Sequence, residues 1–401
     1  MTCAEMKPAL QYPKPSPPWL GEPQLGSWFS EEEIEAVVAA MRSSMEWTGE
    51  GFGFMVNEIL EFEAAFAGYV GTKHAVSLCT ASIGLDLSVM CLDLEPGDEI
   101  ISPAINFRAA HAAILGQGAK LIFCEVDPVT LQADPADVER RITPRTRAIY
   151  PVHFNGLSAP MDDLLAVAER NPHPKHGPLK VVGDAARACG GGYRGTKIGK
   201  RGWMTIFSFH TMKNMNTLGE GGMITTDDDG LAGRLRAMRQ WGLDTEYWGS
   251  SYKLTKPQAA MGLVQLGRLD QMIAARARLG RQRTAWLSDV PELTLPADPP
   301  DCDHSFYLYT VLVAEAWAGD KRDLLVAMMQ DDYGVGSAIA NPPTYDASPY
   351  IRKQTLGQCL PASDLLGRRL FCPPMHPSMT DEQNAYVAAA LQTTVEKVRA
   401  L

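Results

Sequence analysis

From residue 75 to residue 182 the chain switches repeatedly between two kinds of apolar spacing, and this alternation limits the folds open to it. Short aliphatic runs occupy 75–78, 99–102, 120–124, 147–152 and 179–182. Segments with helical spacing lie between them, at 82–92, 108–115, 134–141 and 161–169. Strands that alternate with helices in this way build an α/β fold around a mostly parallel sheet, covered on both faces. Ligands of such sheets collect just beyond the carboxyl ends of the strands. The residues that follow each strand are therefore where chemistry should be sought.

Three strand ends carry suggestive residues. After the first comes Cys79-Thr80-Ala81-Ser82-Ile83-Gly84, small and hydroxylated residues that open a helix. Free N–H groups and the positive end of that helix could hold a phosphate, although Ser and Thr are also ordinary helix caps. After the second comes Pro103-Ala104-Ile105-Asn106-Phe107, which sets an aromatic ring either at the sheet's mouth or, as is ordinary for phenylalanine, in the core or at a helix start. After 179–182 comes Gly183-Asp184-Ala185-Ala186. A buried carboxylate is costly unless it is paired, so Asp184 either caps the next turn or faces a cation.

A fourth stretch completes the set. Lys213 stands between the apolar run 204–209 and the glycine-rich turn Gly219-Glu220-Gly221-Gly222, with a second strand expected at 223–226. Such surroundings fence the amine from water, which lowers its pKa and frees its lone pair to attack an aldehyde. Ser208, five residues earlier, is suited to hold a phosphate. An isolated lysine beside a loop is ordinarily a surface residue. Lysine, acid, aromatic ring and phosphate donors together are what pyridoxal 5'-phosphate requires of a protein.

The rest of the chain bounds this reading. A length of 401 residues suggests two domains, and 45% apolar with 21% charged residues is the composition of a globular protein. A formal net charge of -10 without basic patches argues against nucleic-acid binding. No apolar run is long enough to span a bilayer, and the N-terminus does not read as a secretory signal. Eight scattered cysteines lack metal spacing and read as reduced core thiols of a cytoplasmic protein, with no metal site. Proline-rich residues 1–29 form an extended arm, either laid across a partner subunit or disordered. Ser30 and Glu33 form a capping box at the first helix, and a second helix is expected over 57–69. Residues 30–254 then make the large domain, a helix starting at 255 links it through 284, and 285–401 make a smaller α+β domain. In that last part 306–313 reads as a strand, 322–330 and 381–398 read as helices, and His304 and His376 read as structural or surface residues.

With these motifs in view, the chain from Phe29 onward resembles the DegT/DnrJ/EryC1/StrS family of fold-type I, pyridoxal phosphate-dependent aminotransferases. The motifs that carry the likeness are Gly183-Asp184-Ala185-Ala186, Phe207-Ser208-Phe209-His210 with Lys213-Asn214, and Gly219-Glu220-Gly221-Gly222. The resemblance implies a seven-stranded, mostly parallel sheet and transfer of an amino group from glutamate or glutamine to a nucleotide-linked keto sugar or keto-cyclitol. It implies that Lys213 forms the imine with the cofactor and shuttles the proton, Asp184 pairs with the ring nitrogen, and Phe107 stacks on the ring. Ser208, Ser82 and the backbone of Ala81 would hold the phosphate. A homodimer is implied as well, with sites at the interface and a neighbouring subunit's loop, at 249–253, completing the phosphate site.

The sequence departs from the family at several points. Ala81-Ser82 replaces the usual Gly-Thr, and Ser251 stands where the partner-subunit asparagine is usual. Arg187 replaces the usual glutamine or histidine and adds a positive charge near the cofactor's phenolic oxygen. Many relatives have a histidine near Tyr345. Dehydratases of the same fold carry histidine where Lys213 stands, so the lysine disfavours that chemistry. A nicotinamide enzyme is suggested only by Gly190-Gly191-Gly192, without the GxGxxG context between strand and helix. A sensor that binds the cofactor without turnover is the non-enzyme alternative.

Overall fold

The computed structural model describes residues 8–19, 26–47 and 53–401. Its helices are Glu31–Ser43 (α1), Asn57–Val70 (α2), Ala81–Met90 (α3), Arg108–Gly116 (α4), Pro135–Arg141 (α5), Met161–Arg170 (α6), Asp229–Met238 (α7), Lys256–Leu287 (α8), Asp320–Tyr333 (α9), Thr344–Ala347 (α10), Pro349–Gln354 (α11), Pro361–Arg369 (α12) and Asp381–Arg399 (α13). Its strands are His74–Leu78 (β1), Glu99–Pro103 (β2), Lys120–Cys124 (β3), Thr146–Ile149 (β4), Lys180–Asp184 (β5), Gly192–Tyr193 (β6), Thr196–Lys197 (β7), Met204–Ser208 (β8), Gly222–Thr226 (β9), Leu293–Thr294 (β10), Cys302–Asp303 (β11), Val311–Val313 (β12) and Leu370–Phe371 (β13). The capping box at α1 is present: the Ser30 hydroxyl accepts from the first turn, and Glu33 accepts from the Ser30 backbone at 2.8 Å.

Seven strands form one sheet in the order β1-β9-β8-β5-β4-β2-β3. All pairs from β8 to β3 are parallel, while β9 runs antiparallel to both β1 and β8. The expected α/β class with a mostly parallel seven-stranded sheet therefore stands. Strands covered on both faces read as near-continuous apolar runs, and β2, β4, β8 and β9 are buried at every position. On one face, Phe62 and Phe66 of α2 meet Phe207 and Phe209 with ring centroids 5.0–5.4 Å apart. Each such ring contributes about 1.5–3 kcal/mol through burial.

A second core gathers the C-terminal end of α8, the small antiparallel sheet β10-β12-β13, and helices α9 and α13. Two fully buried arginines of α8 hold its surroundings. Arg276 donates to the carbonyls of Gly26 (2.7 Å), Tyr307 (3.2 Å) and Met375 (3.2 Å), and Arg283 to Asn384 Oδ1 (2.9 Å) and the Pro374 carbonyl (2.8 Å). These bonds explain why the expected strand over 306–313 shrinks to Val311–Val313. Phe306 takes a left-handed backbone (φ 46), and the 306–307 carbonyls face Arg276 instead of a neighbouring strand.

Other expectations are revised. The helix starting at 255 runs on to Leu287, and helix α7 and the hairpin β6–β7 had no counterpart in the sequence reading. Among the described residues of the arm, Trp19 pairs with this same chain, its N–H 2.8 Å from the Gly334 carbonyl, and packs with Tyr12 and Tyr386. The arm therefore lies on its own chain over these residues, since two aromatic rings gain partners there. Seven cysteines are free, of which four are buried and Cys359 is exposed, so not all are core thiols; Cys3 lies outside the described residues. Gly190 and Gly191 are explained by packing: a side chain at Gly190 would come within 2.5 Å of Ile273, and one at Gly191 within 2.9 Å of Ile198. No helix among the described residues is long and apolar enough to cross a membrane.

Three imidazoles are buried in neutral form. Burial pushes His111 and His153 down to about 3 and His304 to about 4. Their unfolded forms take up protons near 6.5, so the stability they preserve is full above that pH and lost as pH falls below it. Each should withdraw about 1.4 kcal/mol per pH unit between about 6.5 and its folded value. Urea unfolding midpoints should fall steadily from pH 6.5 to pH 5, and a flat profile over that range would contradict these burials.

Candidate active site

The carboxyl ends of β5 and β8 and the amino end of α3 converge on one cavity of about 250 Å³. Seven of the eight residues singled out from the sequence line it: Ala81, Ser82, Phe107, Asp184, Arg187, Ser208 and Lys213. Ser251, assigned to a neighbouring subunit's site, does not line the cavity of its own chain, and its hydroxyl accepts from Lys253 Nζ at 2.9 Å.

Local geometry sets each position. Thr80 caps α3 by accepting from the Ile83 N–H at 3.2 Å, which leaves Ala81 and Ser82 in the first turn. Gly222 makes this approach possible. A side chain there would come within 2.6 Å of the Ala81 nitrogen and the Thr80 carbonyl carbon, so only glycine lets β9 pass beneath the helix start. Ser208 ends β8, with its hydroxyl 3.3 Å from the His210 N–H. Phe107 is 49% exposed at the head of α4, which rules out the core phenylalanine considered from sequence. An aromatic face left open at a cavity mouth suits a flat ligand.

The loop that carries Lys213 is pinned on several sides. Thr211 N–H donates to the Gly219 carbonyl at 3.0 Å, and Phe209 N–H to Gly221 at 2.9 Å. Asn214 donates to the Cys189 carbonyl (3.1 Å), and Asn216 to Ser27 Oγ (2.6 Å). Gly26 lies so close that a side chain would meet the Met212 carbonyl oxygen at 2.2 Å. The Lys213 amine itself sits 5.0 Å from the centre of the Tyr307 ring.

Asp184 ends β5 inside the protein, accepting from the Ala186 N–H at 3.0 Å. Burial raises its carboxyl above the ordinary range, and the Ala186 bond, Lys213 and Arg187 only partly oppose the shift. A cationic group seated against Asp184 would relieve that cost. Space, acid, amine, open aromatic face and phosphate donors at a helix start together fit pyridoxal phosphate, whose ring nitrogen is the cation and whose phosphate is the anion.

Sequence reasoning missed several participants. Asn106, Val152, His210 and Glu220 also line the cavity. Asn155 and Asn341 grip Arg187 from 32 and 154 residues away, and no local signal in the sequence joins them to it. Both take left-handed backbones (φ 50 and 62), which asparagine tolerates better than most residues. Tyr345 lies outside the lining and donates to Asp364 Oδ1 at 2.5 Å. His304 packs its ring 4.0 Å from that of Phe306, and His376 accepts from the Ser378 N–H at 3.1 Å; both are structural.

The profile of the DegT/DnrJ/EryC1/StrS aminotransferase family matches residues 29–392. The chain belongs to that family. It is 35% identical over 384 residues to the spore coat polysaccharide biosynthesis protein SpsC of Bacillus subtilis, covering 91% of this chain and 95% of SpsC. It is 37% identical over 342 residues to the GDP-perosamine synthase of Caulobacter vibrioides, covering 83% and 89% of the two chains. The X-ray structure of S. venezuelae DesV superposes with a TM-score of 0.82 at 32% identity, covering 91% of this chain and 95% of DesV. As a member of this aminotransferase family, the protein is a transaminase.

Because Asp184 is raised, the cofactor-free protein carries a cost above its folded pKa that is absent once the acid is protonated. Cofactor-free Asp184→Asn should therefore melt higher than the cofactor-free wild type at pH 8. The gap should close as the pH falls toward about 4, where the wild-type acid is neutral too. Scanning calorimetry at both pH values checks this, and a less stable variant at pH 8 would refute it.

Proposed function

We propose that this transaminase uses pyridoxal phosphate to move an amino group from glutamate or glutamine to the ketone of a nucleotide-linked keto sugar or a keto-cyclitol. The observation that carries this reading is the meeting of Lys213 and Asp184 on one cavity, with hydroxyl and N–H donors at the start of α3. The names of relatives that make perosamine and spore coat polysaccharide support a sugar acceptor.

When bound, the cofactor supplies an aldehyde for nitrogen chemistry and a ring that draws off electrons. The chain's own residues do the rest. Asp184 would hold the positive charge on the ring nitrogen, Phe107 would cover one ring face, and Ser82, Ser208 and the Ala81 N–H would hold the phosphate. Arg187 would add its positive charge on the side of the phenolic oxygen. Lys213 Nζ acts as general base and acid, taking the proton from the carbon that bears the substrate's nitrogen and later returning one. The pinned loop keeps that amine in place through both half-reactions.

In this reading 30–254 form the cofactor-binding domain, 255–284 the link and 285–401 the smaller domain, and two chains pair so that Ser251 serves the neighbouring site. Several exposed aromatics support the pairing. Trp47, Phe54, Trp241 and Trp248 are all more than half exposed, and Phe54 and Trp241 have ring centroids 5.1 Å apart. The segment that follows Trp248 reaches the end of β1, where the Cys79 N–H donates to the Tyr252 carbonyl at 2.8 Å. Seven free cysteines accord with a reducing, cytoplasmic setting.

Pyridoxal phosphate added to the protein should give a visible band that bleaches with glutamate or glutamine and returns with a suitable keto sugar. Lys213→Ala should lose that band and at least about 10²–10⁴ of the turnover rate. A fully active variant would defeat the assignment, and a band that no amino donor bleaches would favour the sensor. Sedimentation should give twice the mass of one chain, and a monomer at working concentration would remove Ser251 from the site.

A further inference from the structure

Arg187 lines the cavity, and its charge acts on Asp184 only through space, without an ion pair among the described residues. Its Nη1 donates to Asn155 Oδ1 at 2.9 Å and its Nη2 to Asn341 Oδ1 at 2.7 Å. Both acceptors are neutral, and among the described residues no carboxylate lies within salt-bridge distance of it. The guanidinium lies 5.7 Å from the Phe107 ring centroid and 5.8 Å from that of Tyr307, so two rings and two amides fix its plane. A guanidinium has five N–H donors, and two are used here.

The neighbouring amides add to the surplus of donors. Because Arg187 can only donate, both asparagines must turn their oxygens toward it. Asn155 uses its remaining Nδ2 on Thr310 Oγ1 at 2.8 Å. Asn341, only 9% exposed, is left with a buried Nδ2 that meets no acceptor. Asn106, 2% exposed and on the cavity wall, spends its Oδ1 on the Phe107 N–H at 2.6 Å and also leaves Nδ2 without a partner. A rigid cation with unpartnered amide donors nearby is a setting suited to an anionic group. The anchors come from the loops at 155, 307 and 341, whereas the phosphate donors belong to α3 and β8.

We infer that Arg187 is the substrate-carboxylate receptor of this site, presenting the planar, two-pronged recognition that guanidinium gives carboxylates. This rests on the proposed transamination and adds the binding subsite that selects its substrates. The carboxylate belongs either to the amino-acid donor or to an acidic keto sugar.

Arg187→Gln tests the inference, since glutamine removes the charge while keeping a polar side chain that can still donate to Asn155 or Asn341, and should keep the fold and the cofactor. The cofactor-loaded variant and wild type are titrated with glutamate and with butylamine, a donor lacking the carboxylate, following the visible band. Their aminated forms are titrated with a keto-uronate and with its uncharged keto sugar counterpart. A donor subsite predicts that half-saturation by glutamate rises about 10- to 100-fold while that by butylamine is unchanged. An acceptor subsite predicts the same loss for the keto-uronate alone. Arg187→Lys should fall between, and it is read in the same way if the glutamine variant does not hold the cofactor. Equal weakening of charged and uncharged partners, or unchanged affinities with a moved pH midpoint of the visible band, would overturn the inference and leave Arg187 a cofactor contact alone. A wild type that forms no visible band would instead overturn the proposed function itself.

Discussion

A carboxylate carried into the interior at the end of β5 is the constraint that the active site answers. Asp184 is buried with one backbone N–H as its hydrogen-bond donor, and its acidity is weakened accordingly. An ion in that position is tolerable only if cationic groups are held nearby and a cationic ligand can be seated against it. Lys213 and Arg187 supply the first on the wall of the same cavity. The sheet makes the arrangement rigid, because β5 lies between β4 and β8 and pairs with both.

Much of the remaining structure fixes the two cations. The lysine loop is bonded to residues 27, 189 and 219, and Arg276 pulls Gly26 and the 306–307 turn toward the same region. Arg187 is held by side chains from two distant loops. Pre-positioning of this kind lowers the cost of ordering catalytic groups when substrate arrives. It also gives the small antiparallel sheet and its helices a part in the site, since their core carries the 306–307 turn and Tyr307.

The alternation of strands and helices was legible because each apolar run needs burial on both faces, and only a covered, mostly parallel sheet provides it. The lysine, the acid, the open aromatic ring and the hydroxyls at the start of α3 and the end of β8 were legible as neighbours for a related reason. Each follows a strand within a few residues, so local order alone brings them to one edge. Gly222 marked its own position for a steric reason, which became visible only as the clash any side chain would make with α3.

Contacts between distant segments were decided by tertiary structure. The strand pattern over 306–313 was overridden by a buried guanidinium that claimed its carbonyls. The arm's seat on its own chain depended on where Tyr386 and Gly334 came to lie. The neutral, aromatic setting of Arg187 came from Asn155, Tyr307 and Asn341. Sequence by itself determined the sheet, the edge at which chemistry occurs and the residue types collected there, because these follow from spacing along one segment. Which partners each charge finds at that edge was settled only by folding, because pairing depends on distances through space between residues far apart in the chain.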